Sequence, residues 1–257
     1  MLINHSNYNG PILTESSPVI LCLHGFMGGQ DDWKPVIDLL PDSQKLNIIY
    51  LSLPLSFPKE VTDIEGYSRW LWQQLPDFKQ PVFLLAYSLG ARIGMHWLRD
   101  NPGSICGALF EGGHPGLPGD RARLDSDLVW QQRFSQQDLK LTLEQWYQQA
   151  VFKGREKDTA EQIYQRHKAD PSALGSLLLT LSVANQQDMT ASLGAHPITY
   201  LTGEHDKKYT ELAKQLVQQH ANIVHHVISG AGHNCHSDQA CSVSRILSNF
   251  LTDFIHD

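Results

Sequence analysis

No run of the chain approaches the roughly 20 apolar residues that a membrane-crossing helix needs, so membrane insertion is not expected. No block of Lys or Arg is present either. With 20 basic against 27 acidic side chains the net charge is −7, His taken as neutral. That argues against nucleic acid as a partner, because phosphate binding needs a concentrated basic surface. Cysteine is scarce, with four in the chain and none in a C-x-x-C pair. Cys22 and Cys106 lie in the apolar runs Leu21-Cys22-Leu23 and Ile105-Cys106-Gly107, where burial as small hydrophobes is the expectation. The first 17 residues hold no basic segment leading into an apolar stretch, so no signal peptide is expected and a reducing, cytoplasmic setting follows. Repeats and low-complexity stretches are missing as well.

What is present is a globular composition: 41% hydrophobic and 18% charged residues over 257 positions, enough to bury a core without disulfides or metals. Short apolar runs alternate with longer amphipathic ones. Val19–Leu23, Ile48–Leu51, Val82–Ala86, Ile105–Phe110, Ile198–Leu201 and Ile223–Ile228 read as buried strands. Trp33–Leu40, Ile64–Leu75, Leu89–Arg99, Thr210–His220 and Cys241–Phe254 have helical spacing. Such alternation predicts an α/β fold with a mostly parallel, doubly wound sheet. Residues 119–189 break the pattern. No strand is legible there, and apolar positions such as Leu128, Trp130 and Phe134, then Leu139, Leu143 and Trp146, recur at helical intervals. This predicts one domain, 1–257, with a helical cap inserted at about 119–189.

The sharpest chemical signal is Val82-Phe-Leu-Leu-Ala-Tyr-Ser-Leu-Gly90, a buried strand running into a helix with Ser88 at the junction. That is the context of a nucleophile elbow, G-x-S-x-G, whose small flanking residues let neighbouring backbone approach; here Ala86 replaces the first Gly. The plainer alternative is a serine capping an ordinary helix. A working serine needs a base and a group to orient it, in the order Ser, acid, His. Pro197-Ile-Thr-Tyr-Leu-Thr-Gly-Glu-His-Asp206 ends a strand on an acid, with Asp206 preferred to Glu204. Gly230-Ala-Gly-His-Asn234 then follows a strand and delivers His233 on a Gly-rich loop. Both positions fall at C-terminal strand ends, where open α/β sheets build sites. A metal site combining His225, His226, His233 and His236 is the competing reading, and it lacks the accompanying Cys or carboxylate spacing. No metal and no cofactor is expected.

Leu23-His24-Gly25-Phe26-Met27-Gly28-Gly29 supplies a Gly-rich loop after the first strand. Its spacing fits neither phosphate-binding glycine motif. It can instead turn the N–H of Phe26 toward Ser88, forming an oxyanion hole with the N–H of Leu89.

Further motifs narrow the reading. Glu111-Gly-Gly-His-Pro-Gly-Leu117, Gln131-Gln-Arg-Phe134, Trp146-Tyr-Gln-Gln149 and Gly230-Ala-Gly-His-Asn234 resemble those of the 2-succinyl-6-hydroxy-2,4-cyclohexadiene-1-carboxylate synthases of menaquinone biosynthesis. Those enzymes are lyases built on the α/β-hydrolase fold. The likeness runs from about Leu21 to near the C-terminus. It implies elimination of pyruvate from an enolpyruvyl cyclohexene carboxylate, with Ser88 and His233 acting as a base and the backbone pair holding an enolate oxygen. It also implies that Arg92, Arg123 and Arg166 bind the carboxylates of a small polycarboxylate substrate, and that Tyr87 and Trp146 line its pocket. The bland alternative for each arginine is a solvated helix face. One departure stands out: many relatives have Asp-Leu-Pro-Gly-His-Gly after the second strand, where this chain has Ser52-Leu-Pro-Leu-Ser-Phe57. A carboxylesterase or thioesterase using the same triad, and a non-catalytic binding module on the same fold, are the other function classes. Oligomeric state is not legible; a monomer is the default.

Overall fold

The computed structural model describes residues 17–41, 45–149, 152, 156–167 and 170–255. Six strands form one sheet: β1 (Val19–Leu23), β2 (Asn47–Leu51), β3 (Val82–Tyr87), β4 (Ile105–Glu111), β5 (Ile198–Gly203) and β6 (Ile223–Ile228). Their order is β2-β1-β3-β4-β5-β6 and every pairing is parallel. β1 and β3 are apolar and buried along their whole length because helices cover both faces. On one face α2 (Ile64–Trp72), α3 (Leu89–Asp100) and α8 (Lys207–Gln219) contribute Leu71, Ile93 and Leu216 to a cluster with Leu21, Leu84 and Tyr200. On the other, α1 (Lys34–Ile37), α9 (Cys235–Asp238) and α10 (Ala240–Ile255) bring Val36, Cys235, Val243 and Leu247 against Ile20, Phe83 and Leu109. All six expected strands are present, several extended by a residue or two.

Between β4 and β5 stand α4 (Arg121–Gln136), α5 (Leu139–Tyr147), α6 (Glu156–His167) and α7 (Pro171–Thr180). Asp120, Asp138 and Asp170 cap the first, second and fourth, each accepting the N–H three residues on. A third cluster lies beneath these helices, with Trp130, Phe134, Leu143, Trp146 and Leu174 packed against Met27 of the Gly-rich loop. The Trp130 and Trp146 rings meet edge to face at 4.9 Å. Burying a side chain of this size stabilises by roughly 1.5–3 kcal/mol, so the aromatic cluster anchors the inserted helices on the loop below.

Three local expectations need correction. Cys106 is exposed although its neighbours are apolar. The β3–β4 register steps from Val82↔Ile105 to Phe83↔Gly107, which leaves Cys106 as the extra residue of a bulge. The helix expected over Trp33–Leu40 is a 3-10 turn at Gln30–Trp33 followed by the four residues of α1. Leu128 is 37% exposed, because the inward stripe of α4 is Asp127, Trp130 and Phe134. A polar side chain occupies the place the pattern assigned to leucine.

Burial holds His24, His96 and His114 neutral, each lowered from 6.5 to about 4; His167 and His225 are lowered for the same reason. Between pH 6.5 and 4 the unfolded chain therefore binds protons that the folded chain refuses. Stability rises with pH across that window and is lost as pH falls through it. The buried His24 and His96 each contribute a slope of up to about 1.4 kcal/mol per pH unit, with smaller additions from the less buried histidines. Thermal melts are expected to show Tm falling steeply below pH 6.5; a Tm constant down to pH 4.5 contradicts the assignment.

Candidate active site

β3 ends where Tyr87 leads into Ser88, whose backbone is held at φ 50°, ψ −106°. A non-glycine residue adopts such a conformation only where its surroundings impose it. Here the Ser88 N–H is bonded to the Glu111 carbonyl at 2.8 Å, and the Ser88 carbonyl accepts the N–H of Arg92 at 3.1 Å. Two glycines leave room for the turn. A Cβ at Gly90 would lie 2.6 Å from the His24 carbonyl oxygen, and one at Gly25 would lie 2.6 Å from the Tyr87 ring. Ala86, fully buried between Leu23 of β1 and Phe110 of β4, shows that its own position accepts a methyl group.

The other two triad candidates arrive on the loops after β5 and β6. His233 Nδ1 lies 2.6 Å from Asp206 Oδ2, and its Nε2 lies 3.4 Å from Ser88 Oγ. Donation of Nδ1–H to the carboxylate leaves Nε2 free to accept from the hydroxyl. Asp206 also caps α8, its Oδ1 accepting the Tyr209 N–H at 3.4 Å, which is why that helix starts three residues earlier than Thr210. The imidazole is 6% exposed. It packs near Tyr209 and Tyr87, with ring centroids 4.6 and 5.4 Å away, and over Gly112, where a Cβ would stand 2.7 Å from Cε1. The rejected acid, Glu204, is turned away: it accepts from Ser229 Oγ and the Gly230 N–H, and these bonds hold its carboxyl below the usual range.

The Gly-rich loop is fixed from both sides. His24 donates Nδ1–H to the Gly25 carbonyl at 2.7 Å and accepts the Leu53 N–H on Nε2 at 3.1 Å. The departing segment Ser52–Phe57 is thereby tied to this loop, and Tyr67 holds it again through the Pro54 carbonyl. Phe26 turns its ring up against Trp146, centroids 5.3 Å apart. Leu89 is the first residue of α3, so its N–H has no carbonyl one turn back to bond.

Above the relay is a cavity of about 1000 Å³, lined by Ser88, His233, Tyr87, Trp146 and all three arginines of the sequence analysis. Each arginine is held differently. Arg92, 9% exposed, donates to Gln186 Oε1 and the Leu181 carbonyl, both at 2.6 Å. These partners are neutral, so its charge is uncompensated by them; desolvation, then nearby Arg123, pulls its pKa down to about 9 and leaves it cationic at neutral pH. Arg123 Nε donates to Asp127 at 2.9 Å, and Ser182 Oγ donates to the other oxygen of that buried carboxylate at 2.7 Å. Arg166 reaches from α6 to the Met27 carbonyl and to Asp32, at 3.1 and 3.2 Å. Nε1 of Trp146 has no partner among the described residues.

Some lining residues escaped the sequence reading. Lys208 stands two residues after Asp206, on the first turn of α8. His114, inside the Glu111–Leu117 motif, accepts the Gly116 N–H on Nδ1 at 3.1 Å and is neutral through burial. Their positions beside named motifs were the available signal. The four histidines of the metal reading are dispersed among other partners: His225 bonds Thr202, and His236 turns to Glu111. Among the described residues no group of three or more His, Cys, Asp or Glu is placed to hold a metal ion, and no helix is long and apolar enough to cross a membrane.

Comparison with known proteins follows the same direction. The model of the alpha/beta hydrolase family matches residues 20–244. A 2-succinyl-6-hydroxy-2,4-cyclohexadiene-1-carboxylate synthase of Enterobacter sp. (strain 638) is 35% identical over 247 residues, covering 93% of this chain and 94% of that protein. One from Klebsiella pneumoniae subsp. pneumoniae is 33% identical over 244 residues, covering 91% and 94%. Among solved structures, MenH from S. aureus superposes with a TM-score of 0.85 at 19% identity, over 98% of this chain and all of that one; at that identity it speaks for the fold.

Proposed function

The chain belongs to the α/β-hydrolase family and, within it, to the 2-succinyl-6-hydroxy-2,4-cyclohexadiene-1-carboxylate synthases, and from this we infer that it is a lyase of menaquinone biosynthesis. It eliminates pyruvate from 2-succinyl-5-enolpyruvyl-6-hydroxy-3-cyclohexene-1-carboxylate. The observation that carries the reading at residue level is one cavity onto which a serine–imidazole–carboxylate relay and three guanidinium groups all open.

In the proposed mechanism Arg92, Arg123 and Arg166 take the substrate carboxylates, as planar forks suited to them. Tyr87 and Trp146 hold the ring. Ser88, its proton passed to His233, removes the hydrogen on the carbon beside the succinyl ketone. Asp206 holds the imidazole in the tautomer that accepts, and stabilises the imidazolium that results. The carbonyl electrons gather on oxygen, where the N–H groups of Phe26 and Leu89 receive them. The enolate then reforms its carbonyl, the electrons pass through the ring double bond, and the carbon–oxygen bond to the enolpyruvyl group breaks. The departing enolpyruvate takes up a proton and becomes pyruvate. Every step is a proton transfer or an electron-pair shift within the substrate, with no cofactor written into it. On this reading residues 1–257 act as one cytoplasmic domain with about 119–189 as its cap, a small polycarboxylate as its substrate and a monomer as the default state.

The test is pyruvate release from the authentic substrate, followed by coupled reduction of the ketoacid, beside turnover of nitrophenyl esters. Rapid pyruvate release with slow ester hydrolysis is expected. Brisk esterase activity without pyruvate would replace the lyase by a carboxylesterase or thioesterase on the same triad.

A further inference from the structure

A second carboxylate–imidazole couple lies beside the first and takes no part in the proton transfers above. Glu111, with no exposed surface, accepts the His236 backbone N–H on Oε2 at 3.2 Å. The same carboxylate faces His236 Nδ1 with both oxygens, at 3.0 and 3.1 Å. We propose that Glu111 and His236 are positioning residues that fix the separation between the Ser88 hydroxyl and the His233 imidazole.

The argument is one of connectivity. Glu111 ends β4, and its main-chain oxygen is the acceptor that holds the Ser88 N–H. Its side chain holds the loop that carries His233, three residues before His236. A single residue thus joins the two segments whose spacing sets the 3.4 Å gap between His233 Nε2 and Ser88 Oγ. The His236 ring extends the link further. It stacks on Trp33 with centroids 4.2 Å apart and meets the edge of Tyr87, the residue before Ser88, at 4.9 Å. Trp33 in turn donates Nε1–H to the Leu23 carbonyl at 2.9 Å, immediately before the Gly-rich loop. Elbow, histidine loop and Gly-rich loop therefore all converge on one buried pair. Relays of this kind are sensitive to displacement, and a shift of about 1 Å at the reacting atoms costs orders of magnitude in rate. A buried carboxylate that loses a donor is driven to find another, so removing the His236 side-chain N–H displaces the loop rather than leaving it in place.

The proposal rests on the relay of the preceding reading and not on its choice of substrate, so its reporters are independent of pyruvate. They are the rate at which a fluorophosphonate labels Ser88 and the low-field proton resonance of the His233–Asp206 hydrogen bond. His236→Phe keeps a ring between Trp33 and Tyr87 but offers Glu111 no side-chain N–H; His236→Asn returns a donor close to the place of Nδ1. Labelling is expected to slow at least about tenfold in His236→Phe, with the resonance shifted or lost, and to stay within about threefold of wild type in His236→Asn. Unchanged labelling and resonance in a folded His236→Phe protein overturns the proposal, as does equal loss in both variants. If His236→Phe does not fold, Glu111→Gln decides, since it keeps the shape and one acceptor: slow labelling with a near-native melt supports the role, and normal labelling removes it. A wild-type protein that resists the label altogether would instead reject the relay itself.

Discussion

Replacing Ser88 by Ala is expected to lower kcat for pyruvate release by about a thousandfold or more, with substrate affinity changed less than about threefold. The two quantities separate because the groups assigned to them are different. The hydroxyl is the only part of Ser88 that faces Nε2 of His233, and without it the imidazole must reach a carbon acid that Ser88 was placed to meet. The guanidinium groups of Arg92 and Arg123 are held by Gln186, Leu181 and Asp127 rather than by the Ser88 side chain. Ala also fits the elbow's space, although its positive φ retains the strain already present. Single-turnover kinetics with calorimetric titration of the substrate would separate the effects. Retained turnover in Ser88→Ala would leave His233 alone as the base, and a loss confined to affinity would move Ser88 to a binding role.

Arg123→Ala is expected to weaken substrate binding by about 3 kcal/mol, roughly a hundredfold in Kd, and Arg166→Ala by only about 1 kcal/mol. The difference comes from what each arginine leaves behind. Arg123 pairs with Asp127, whose side chain is 3% exposed. Its removal strands a buried carboxylate beside a cavity that must receive carboxylates, so lost attraction is compounded by new repulsion. Arg166 and its partner Asp32 are 37% and 23% exposed, and water screens the charge that remains. A double variant, Arg123→Ala with Asp127→Asn, is therefore expected to recover about tenfold of the affinity. Equal losses for the two single variants, or no recovery in the double, would show that Asp127 does not contribute in this way.

Much of this architecture was legible because its signals are local. The six strands announce themselves as apolar runs punctuated by Gly and Pro, and Ser88, Asp206 and His233 each follow such a run in a fixed order. What stayed hidden depends on partners far away in the chain. Asp127 meets Ser182 across 55 residues, Arg92 meets Gln186 across 94, and His236 meets Glu111 across 125. No periodicity encodes such pairs. Arg166 shows the same blindness from the other side: its place at the cavity was expected, whereas its bonds to Met27 and Asp32 were not. Cys106 was misplaced because a bulge turns one residue outward from an apolar run that reads as buried throughout. The inward stripe of α4 was misread because polar Asp127 occupies a position the pattern reserves for an apolar side chain.

The strand ends and their loops carry Ser88, Asp206, His233 and the two N–H groups proposed for the oxyanion hole, whereas Arg123, Trp146 and Arg166 stand on helices inserted between β4 and β5. Under the proposed mechanism, chemistry and much of the selection of the incoming molecule are thus written in different stretches of the gene product. Exchange of the inserted stretch must therefore respect its seams with the platform, where Arg166 bonds Met27 and Asp32 and Arg92 bonds Gln186 and the Leu181 carbonyl. Tyr87 and Arg92, with His114 and Lys208, line the cavity from the platform side, so a version of this scaffold with other inserted helices inherits cations and a phenol ring at the floor of its chamber.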